Sequence, residues 1–409
     1  MTTTSIIFGF FLIFFGAAIL STFALFTRQS LLVAYIVLGA LIGPWGFKLI
    51  DQIDFIHELS SVGIVFLLFL LGLELQLGKL YNLLRGAALV TIISSIIFSV
   101  VFFLASMAFG FPLIDSFIIG ITMIFSSTII SIKLLPANRL NHQSIGKKMV
   151  SVLLLQDFIA IFVLLGLKLW GSGAGSVALA NGFSWFLALR VILSVPILIL
   201  FAVFFEKWIL IKLLNRFSFI KEYVFLLALG WCLGMSELAY YMGVSHEIGA
   251  FIAGVTLTIS PVSHFIAERL KPLRDFFLIV FFFSVGASIN FMLLLTIIVP
   301  VLVMALMVII IKPLVYKSLM PSLDGSRVDS WEFGLRLGQA SEFSLLVVFM
   351  GFHNMLISQE AYLLVQAVTV LSFIASSYII GFKFPGHLSV SLNKDFNKDF
   401  NKDYRGLDE

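Results

Sequence analysis

The chain has 409 residues, of which 60% are hydrophobic and only 12% are charged, and its formal net charge is +4. Soluble domains are nearer half apolar and a quarter charged, so an ordinary soluble protein is excluded. The apolar runs are continuous and do not alternate, which excludes a transmembrane β-barrel, and the single Cys232 excludes an intramolecular disulfide framework. The composition predicts an all-α polytopic membrane protein.

Thirteen apolar segments approach or exceed the roughly 20 residues that cross a bilayer. In chain order they cover residues 5–26, 31–48, 59–77, 86–109, 113–135, 149–170, 184–205, 221–242, 246–262, 272–292, 294–317, 330–352 and 360–382. We therefore predict one transmembrane domain over residues 1–382. Residues 383–409, which contain the charge-balanced repeat NKDFNKDFNKDY, are predicted to form a short disordered cytoplasmic tail.

Basic residues in the connecting loops predict the orientation. Loops after the odd-numbered segments hold most of the lysines and arginines, among them Arg139, Lys147, Lys148, Lys207 and Arg274. Because an excess of Lys and Arg marks the cytoplasmic side, the N-terminus is predicted outside and the C-terminus inside. The expected location is the inner membrane of a prokaryote, with the lipid bilayer as surroundings and no nucleic acid as partner.

Polar side chains inside four of the predicted segments are candidates for function. A carboxylate at the centre of a membrane helix costs about 2.5–3.5 kcal/mol on insertion scales, so such a residue needs a reason to be there. The candidates are Ser126, Ser127 and Thr128 in the fifth segment, Gln156 and Asp157 in the sixth, Lys312 in the eleventh, and Arg336, Gln339 and Glu342 in the twelfth.

The placement of these residues predicts an inverted repeat. Segments 4–6 start from one side of the membrane and segments 11–13 from the other, and the middle segment of each trio carries most of the interrupting polar residues. This pattern is typical of transporters in which two broken helices meet near the middle of the membrane. The hydroxyls of the fifth segment and Glu342 would then share one cavity with Asp157.

Simpler interpretations of the same residues remain open. Ser and Thr in membrane helices often bond to the preceding turn or to a neighbouring helix. Lys312 can snorkel toward the interface, Arg336 can be structural or can snorkel, and Glu342 can be a protonated structural group. His246 and Glu247 open the ninth segment, where an acid suits a helix N-terminus, so capping is favoured over pH sensing. Asp157 cannot snorkel to water from the centre of its segment, so its alternative is a static structural role.

Several of these stretches carry a family resemblance. The chain resembles the monovalent cation:proton antiporter-2 family, most closely the membrane part of Kef-type potassium/proton antiporters. The matching stretches are VLGALIGPWGF (37–47), FLLGLEL (69–75), FSSTIIS (125–131), LLLQDFIAI (153–161), GAFIAGVTL (249–257), KPLRDFFLIVFFFSVGASINF (271–291) and GQASEF (338–343). The resemblance implies a thirteen-helix homodimer in which segments 4–6 and 11–13 form the transport core. It also implies that Asp157 is the ion-binding aspartate and Lys312 the core lysine.

The predicted function is exchange of a monovalent cation for a proton at Asp157, without enzymatic activity or cofactor. A desolvated carboxylate can hold a proton or a cation but hardly both, and this competition couples the two fluxes. Gln156 would add a neutral ligand, so one cation per proton and nearly electroneutral transport are expected, with Lys312 compensating the charge of the empty site. Potassium is favoured and sodium is the alternative. A cation channel is the rival of another class, although no backbone-carbonyl selectivity filter is evident.

One departure from the Kef-type pattern concerns regulation. Relatives of that type carry a nucleotide-binding domain after the helices, whereas this sequence shows no Rossmann fingerprint there. Regulation by nucleotide or glutathione is therefore not expected from this sequence, and a separate regulatory subunit is the open alternative.

Overall fold

The computed structural model describes residues 6–27, 29–50, 53–74, 77–133, 144–170, 185–217, 219–258, 263–320 and 329–383. All regular elements within these ranges are helical. They are α1 (Ile6–Phe26), α2 (Leu31–Ile42), α3 (Ile53–Glu74), α4 (Leu77–Ala108), α5 (Leu113–Thr122), α6 (Thr128–Lys133), α7 (Ser144–Leu169), α8 (Trp185–Phe205), a π-helical stretch (Glu206–Leu210), α9 (Ile211–Phe217), α10 (Lys221–Tyr241), α11 (His246–Leu257), α12 (Ser263–Ala287), α13 (Phe291–Thr296), α14 (Ile298–Leu319), α15 (Asp329–Arg336), α16 (Glu342–His353) and α17 (Gln359–Lys383).

The described helices include stretches long and apolar enough to cross a membrane. Six meet both requirements: Ile6–Phe26, Ala87–Ala108, Lys148–Leu167, Glu222–Tyr241, Ile298–Leu319 and Gln359–Lys383. Shorter apolar helices cover Leu31–Ile42, Ser60–Leu73, Leu113–Thr122, His246–Leu257 and Glu342–His353. The all-α polytopic fold predicted from composition is confirmed. The predicted tail beyond residue 383 lies outside the described residues.

Two of the predicted segments are each divided into two helices. The fifth, 113–135, contains α5 and α6, and the twelfth, 330–352, contains α15 and α16. Other helices differ from the prediction mainly at their ends. For example, α2 stops at Ile42, because Gly43 adopts an extended conformation and Pro44 follows it. The predicted pair of broken helices is therefore present in the described structure.

The helices pack as two units joined along α3 and α12. The first unit contains α4–α7 and α14–α17, with a continuous buried core that includes Phe98, Phe125 and Phe333. In the second unit α8, α10 and α11 pack with α3 and α12 around Trp231 and Phe69. Within the first unit α4 packs on α5 and α7, and α14 packs in the same way on α15 and α17. This correspondence agrees with the predicted inverted repeat and brings both broken helices into one unit.

Candidate functional site: the crossing of two interrupted helices

Both helix interruptions lie in the buried interior of the first unit. Residues 123–127 separate α5 from α6, and residues 337–341 separate α15 from α16. Nearly all of these side chains are less than a tenth exposed. An interrupted helix leaves backbone N–H and C=O groups without their usual partners, and hydrocarbon cannot satisfy them. The partners must therefore come from the protein.

The two interruptions satisfy each other. Ser126 Oγ donates to the carbonyl of Leu337 (2.8 Å), and Ser131 Oγ donates to the carbonyl of Arg336 (2.7 Å). In the opposite direction, Gln339 Nε2 donates to the carbonyl of Ser127 (3.3 Å). These side chains come from both repeats, so each repeat supplies donors that the other one lacks. The hydroxyls of Ser126 and Ser131 thus do more than bond back to their own helix turn.

The amide of Gln156, on α7, closes the first interruption. Its Oε1 accepts from the backbone N–H of Ser126 (3.1 Å), and its Nε2 donates to the carbonyl of Ile124 (3.1 Å). The same Nε2 donates to the hydroxyl of Tyr316 on α14 (2.6 Å). Gln156 is fully buried. Both ends of the amide are therefore engaged with the protein, mainly with main-chain groups of the interruption.

Lys312 joins the two interruptions from α14. Its ammonium donates to the carbonyl of Phe125 (2.6 Å) and to the carbonyl of Gln339 (2.9 Å), and its Nζ lies 5.3 Å from the centroid of the Phe98 ring. The side chain is fully buried, so the interpretation of Lys312 as a snorkelling residue is wrong. Pairing of Lys312 with Asp157 stays a prediction.

Close approach of α15 to α14 keeps Lys312 in this place. A Cβ added at Gly334 would lie 2.4 Å from the carbonyl oxygen of Pro313, and one added at Gly338 would lie 2.6 Å from the Pro313 ring. Real Cβ atoms do not come so close to other atoms. Only glycine therefore lets the second interruption rest against the proline next to Lys312.

Two helix N-termini meet a carboxylate at the crossing. Thr128 begins α6 and Glu342 begins α16, and Thr128 Oγ1 donates to Glu342 Oε1 (2.8 Å). Ser341 caps α16 by accepting from the N–H of Phe343 (3.2 Å). Because helix N-termini carry partial positive charge, they favour an anionic group between them. Ser127, the remaining hydroxyl of the predicted set, accepts from the N–H of Ile130 (3.3 Å) and so bonds locally.

Asp157 follows Gln156 on α7 and is 4% exposed. Helix α7 packs against α4, α16 and, more sparsely, α6 and α15. The structure therefore brings Gln156, Ser126, Ser127, Thr128, Glu342 and Lys312 to one crossing, and places Asp157 on the helix that supplies Gln156. A role of any of them in ion binding remains a proposal.

Several residues that form hydrogen bonds at the crossing could not be identified from the sequence. Tyr316 lies one helical turn after Lys312, is fully buried, and packs edge-on against the rings of Phe98 (5.3 Å) and Phe333 (5.8 Å). On α17, Ser372 Oγ accepts from the N–H of Ala340, and Ser376 Oγ donates to Gln339 Oε1. Each of these two hydrogen bonds has a length of 3.1 Å. The available signal was spacing: Lys312 and Tyr316, like Ser372 and Ser376, are four residues apart and share a helix face.

Arg336 is not a snorkelling residue. Its guanidinium is fully buried and lies 2.9 Å from Glu332 Oε1, one turn earlier on α15. Buried charges in proteins are paired, and here the partner comes from the same helix. The structural interpretation of Arg336 holds, and Glu332 is the residue that the sequence analysis did not find.

Comparison with known proteins shows which family the chain belongs to. The family profile described as "Sodium/hydrogen exchanger, transmembrane" matches residues 10–382. The chain belongs to this family. Among relatives in the exchanger family, it is 29% identical over 342 residues to "Glutathione-regulated potassium-efflux system protein KefC" of Klebsiella pneumoniae (strain 342), covering 82% of this chain and 54% of that protein. It is 26% identical over 353 residues to "K(+) efflux antiporter 6" of Arabidopsis thaliana, covering 86% of this chain and 59% of that one. The resemblance to Kef-type monovalent cation:proton antiporters is confirmed.

The chain spans little more than half the length of these exchanger-family relatives. A solved structure, that of the sodium proton antiporter MjNhaP1 from Methanocaldococcus jannaschii at pH 8, matches with a TM-score of 0.62 at 16% identity, over 94% of this chain and 97% of that one. This likeness shows that the two proteins share a fold.

Proposed function

We propose that the chain is a secondary antiporter that exchanges a monovalent cation for a proton, with Asp157 as the shared site. The observation that carries the proposal is the buried crossing of two interrupted helices next to the helix that holds Asp157. In a membrane protein an interrupted helix persists only where protein or a polar cavity satisfies it. Two that cross beside a buried carboxylate form a site for a small ion near the middle of the bilayer.

The exchange would follow from the competition at one carboxylate. A proton or a cation neutralises Asp157, whereas the empty anion is too costly to move through hydrocarbon. Gln156 contributes a neutral amide, so we expect one cation per proton and little net charge moved. Lys312 would stabilise the unloaded state through its charge, in addition to holding the two interruptions together.

Potassium is the favoured cation. The relatives named above are described as potassium-efflux proteins, and the position before Asp157 holds a neutral Gln rather than a second carboxylate. Sodium is the alternative, because the family profile is named for sodium/hydrogen exchangers and the solved structure that matches is that of a sodium proton antiporter. We further propose a homodimer in the inner membrane of a prokaryote, with the N-terminus outside and the C-terminus inside. Regulation by a separate subunit is part of the same proposal.

Reconstitution into proteoliposomes tests the proposed exchange. Proton flux is followed with a pH-sensitive dye while K⁺, Na⁺, Li⁺ or Rb⁺ gradients are imposed, with the membrane potential clamped at zero and then at about 100 mV, a step worth roughly 2.3 kcal/mol per net charge moved. We expect cation-dependent proton flux that depends little on voltage. Cation flux without a proton counterflow would instead indicate a channel.

A matched pair of substitutions locates the site. Asp157→Asn should abolish coupled exchange in a folded protein. Asp115→Asn is the control, because Asp115 is equally buried at 4% exposure but accepts from the N–H of Ser358 at the start of α17, away from the crossing. It should retain exchange. Clear cation-dependent proton flux in the Asp157→Asn protein would contradict the proposal.

A further inference from the structure

Two lysines converge on one exposed tryptophan at the surface of the first unit. Lys317 lies in the last turn of α14 and Lys383 in the last turn of α17, whereas Trp331 lies in the first turn of α15. The Nζ atom of Lys317 is 3.9 Å from the centroid of the Trp331 ring, and that of Lys383 is 5.7 Å from it. Trp331 is 42% exposed. Three helix ends therefore bring two cations to one accessible place.

The two ammonium groups have no acidic partner among the described residues. Glu332, the carboxylate next to Trp331 in sequence, is buried and pairs with Arg336. Because both ammonium groups lie close to one ring, they are within about 10 Å of each other and repel. The face of an indole attracts a cation but leaves its charge in place. An anion between the two lysines would remove the repulsion.

A shallow groove continues from this tryptophan toward the middle of the membrane. It lies between α14, α15 and α17 and is lined by Ile309, Pro313, Leu335, Gly338, Ser376 and Ile379. Three of these residues lie four positions from the three residues at the surface, in each case toward the middle of the helix, and so share their helix faces. The pairs are Pro313 with Lys317, Leu335 with Trp331, and Ile379 with Lys383. The groove and the lysine pair therefore form one continuous surface.

This surface faces the lipid. Leu314 and Phe382, each next in sequence to a residue of the groove or the lysine pair, are 46% and 80% exposed, and Tyr378 stacks on Phe382. Exposed apolar side chains on membrane helices contact hydrocarbon, and exposed Trp and Tyr concentrate at the level of the headgroups. A molecule that occupies both parts of the surface must therefore combine an acyl chain with an anionic headgroup.

We propose that this surface binds an anionic phospholipid, with the headgroup between Lys317 and Lys383 and an acyl chain along the groove. The lining includes Ser376, which donates to Gln339 at the second interruption. The bound chain would therefore contact a residue that supports the crossing. Binding itself does not depend on transport, so it can be tested separately from the proposed exchange.

Native mass spectrometry of the purified full-length protein provides the test. The protein in detergent is titrated with dioleoyl-phosphatidylglycerol or dioleoyl-phosphatidylethanolamine, which share their chains and differ in net charge. We expect one retained phosphatidylglycerol per protomer and a preference over phosphatidylethanolamine of about fivefold for each lysine, or about thirtyfold for the pair.

Lysine substitutions locate the headgroup. Lys317→Gln or Lys383→Gln should lower the preference about fivefold, and the double substitution should bring it close to one. Lys212→Gln is the matched control, because Lys212 is a single lysine 5.1 Å from the ring of Trp208, and it should leave the preference unchanged. An unchanged preference in the double variant would overturn the assignment of the headgroup to this lysine pair.

Two further arms test the groove and the nature of the anion. Leu335→Trp and Ile379→Trp each place a large ring in the groove from partly exposed positions, and either should remove the retained lipid. Size-exclusion profiles and melting temperatures identify a variant that folds normally, and undiminished retention in that variant would overturn the groove as the chain site. Glycerol 3-phosphate supplies the anion without chains and should not displace the lipid. Displacement at equal concentration would show that the lysines bind a soluble anion instead.

Discussion

Removing the ammonium of Lys312 tests how the two interruptions are held together. In Lys312→Met the side chain keeps most of its apolar length but cannot donate to the carbonyls of Phe125 and Gln339, which lie 2.6 Å and 2.9 Å from Nζ. Neither carbonyl can turn to water, because both residues are essentially fully buried. The substitution therefore leaves two main-chain acceptors without this donor in the interior of the first unit.

The cost can be worked from these contacts. A buried acceptor that loses its donor costs about 1–3 kcal/mol, so two cost about 2–6 kcal/mol. The loss of a buried ammonium returns part of its desolvation penalty, which leaves a net destabilisation of about 2–4 kcal/mol. Unfolding entropy of roughly 2 cal/mol/K per residue gives about 0.8 kcal/mol/K for 409 residues. The melting temperature should therefore fall by about 2–5 °C.

Melting in detergent and exchange in proteoliposomes separate hydrogen bonding from charge. Lys312→Gln keeps two N–H donors without charge, so it should melt between wild type and Lys312→Met if hydrogen bonding dominates. If Lys312 also compensates Asp157, both variants should shift the pH profile of exchange. Lys207→Met removes an exposed lysine of the π-helical stretch and should change neither property. A Lys312→Met protein with wild-type melting and exchange would refute the reasoning.

Three further substitutions test individual hydrogen bonds in the first unit. Tyr316→Phe removes the hydroxyl that accepts from Gln156 Nε2. It should lower the free energy of unfolding by about 1 kcal/mol and change the ratio of K⁺-driven to Na⁺-driven proton flux. A purely structural role of Tyr316 would leave that ratio unchanged. Gln156→Glu replaces the donor to the Ile124 carbonyl by an acceptor. We expect the free energy of unfolding to fall by about 2–3 kcal/mol, measured by thermal melting. A melting temperature equal to that of the wild type would contradict the role of the amide. Asp115→Ala frees the N–H of Ser358 and should cost about 1–2 kcal/mol while exchange per folded protein, measured in vesicles, is retained.

The arrangement of the helices could largely be predicted from the sequence. Polar residues within otherwise apolar segments marked both interruptions, because hydrocarbon tolerates such residues only for a reason. The opposite topology of the two trios is a prediction that comes from counting apolar segments. The ends of individual helices were harder to predict. At Ile42, for example, the backbone conformation of Gly43 ends α2 before the apolar run ends.

The partners within the site could not be predicted from sequence. Lys312 meets the carbonyl of Phe125, 187 residues away in sequence, and backbone groups carry no sequence signal of their own. Tyr316 was missed because a tyrosine in an apolar helix is compatible with simple burial of its ring. Charge pairing was the natural expectation for a buried lysine, yet two neutral carbonyls also satisfy the ammonium.

The hydrogen bonds at the crossing indicate which of the proposed site residues can bind an ion and which hold the backbone. The hydroxyl of Ser126 and the amide of Gln156 are engaged with main-chain groups of the two interruptions, so a cation would have to compete with these bonds to recruit them. Asp157 and Glu342 differ in kind, because a carboxylate has about four acceptor positions and retains charge after accepting a few hydrogen bonds. Neutral residues at the crossing therefore act first by fixing the backbone, and the proposed competition between proton and cation rests with the carboxylates.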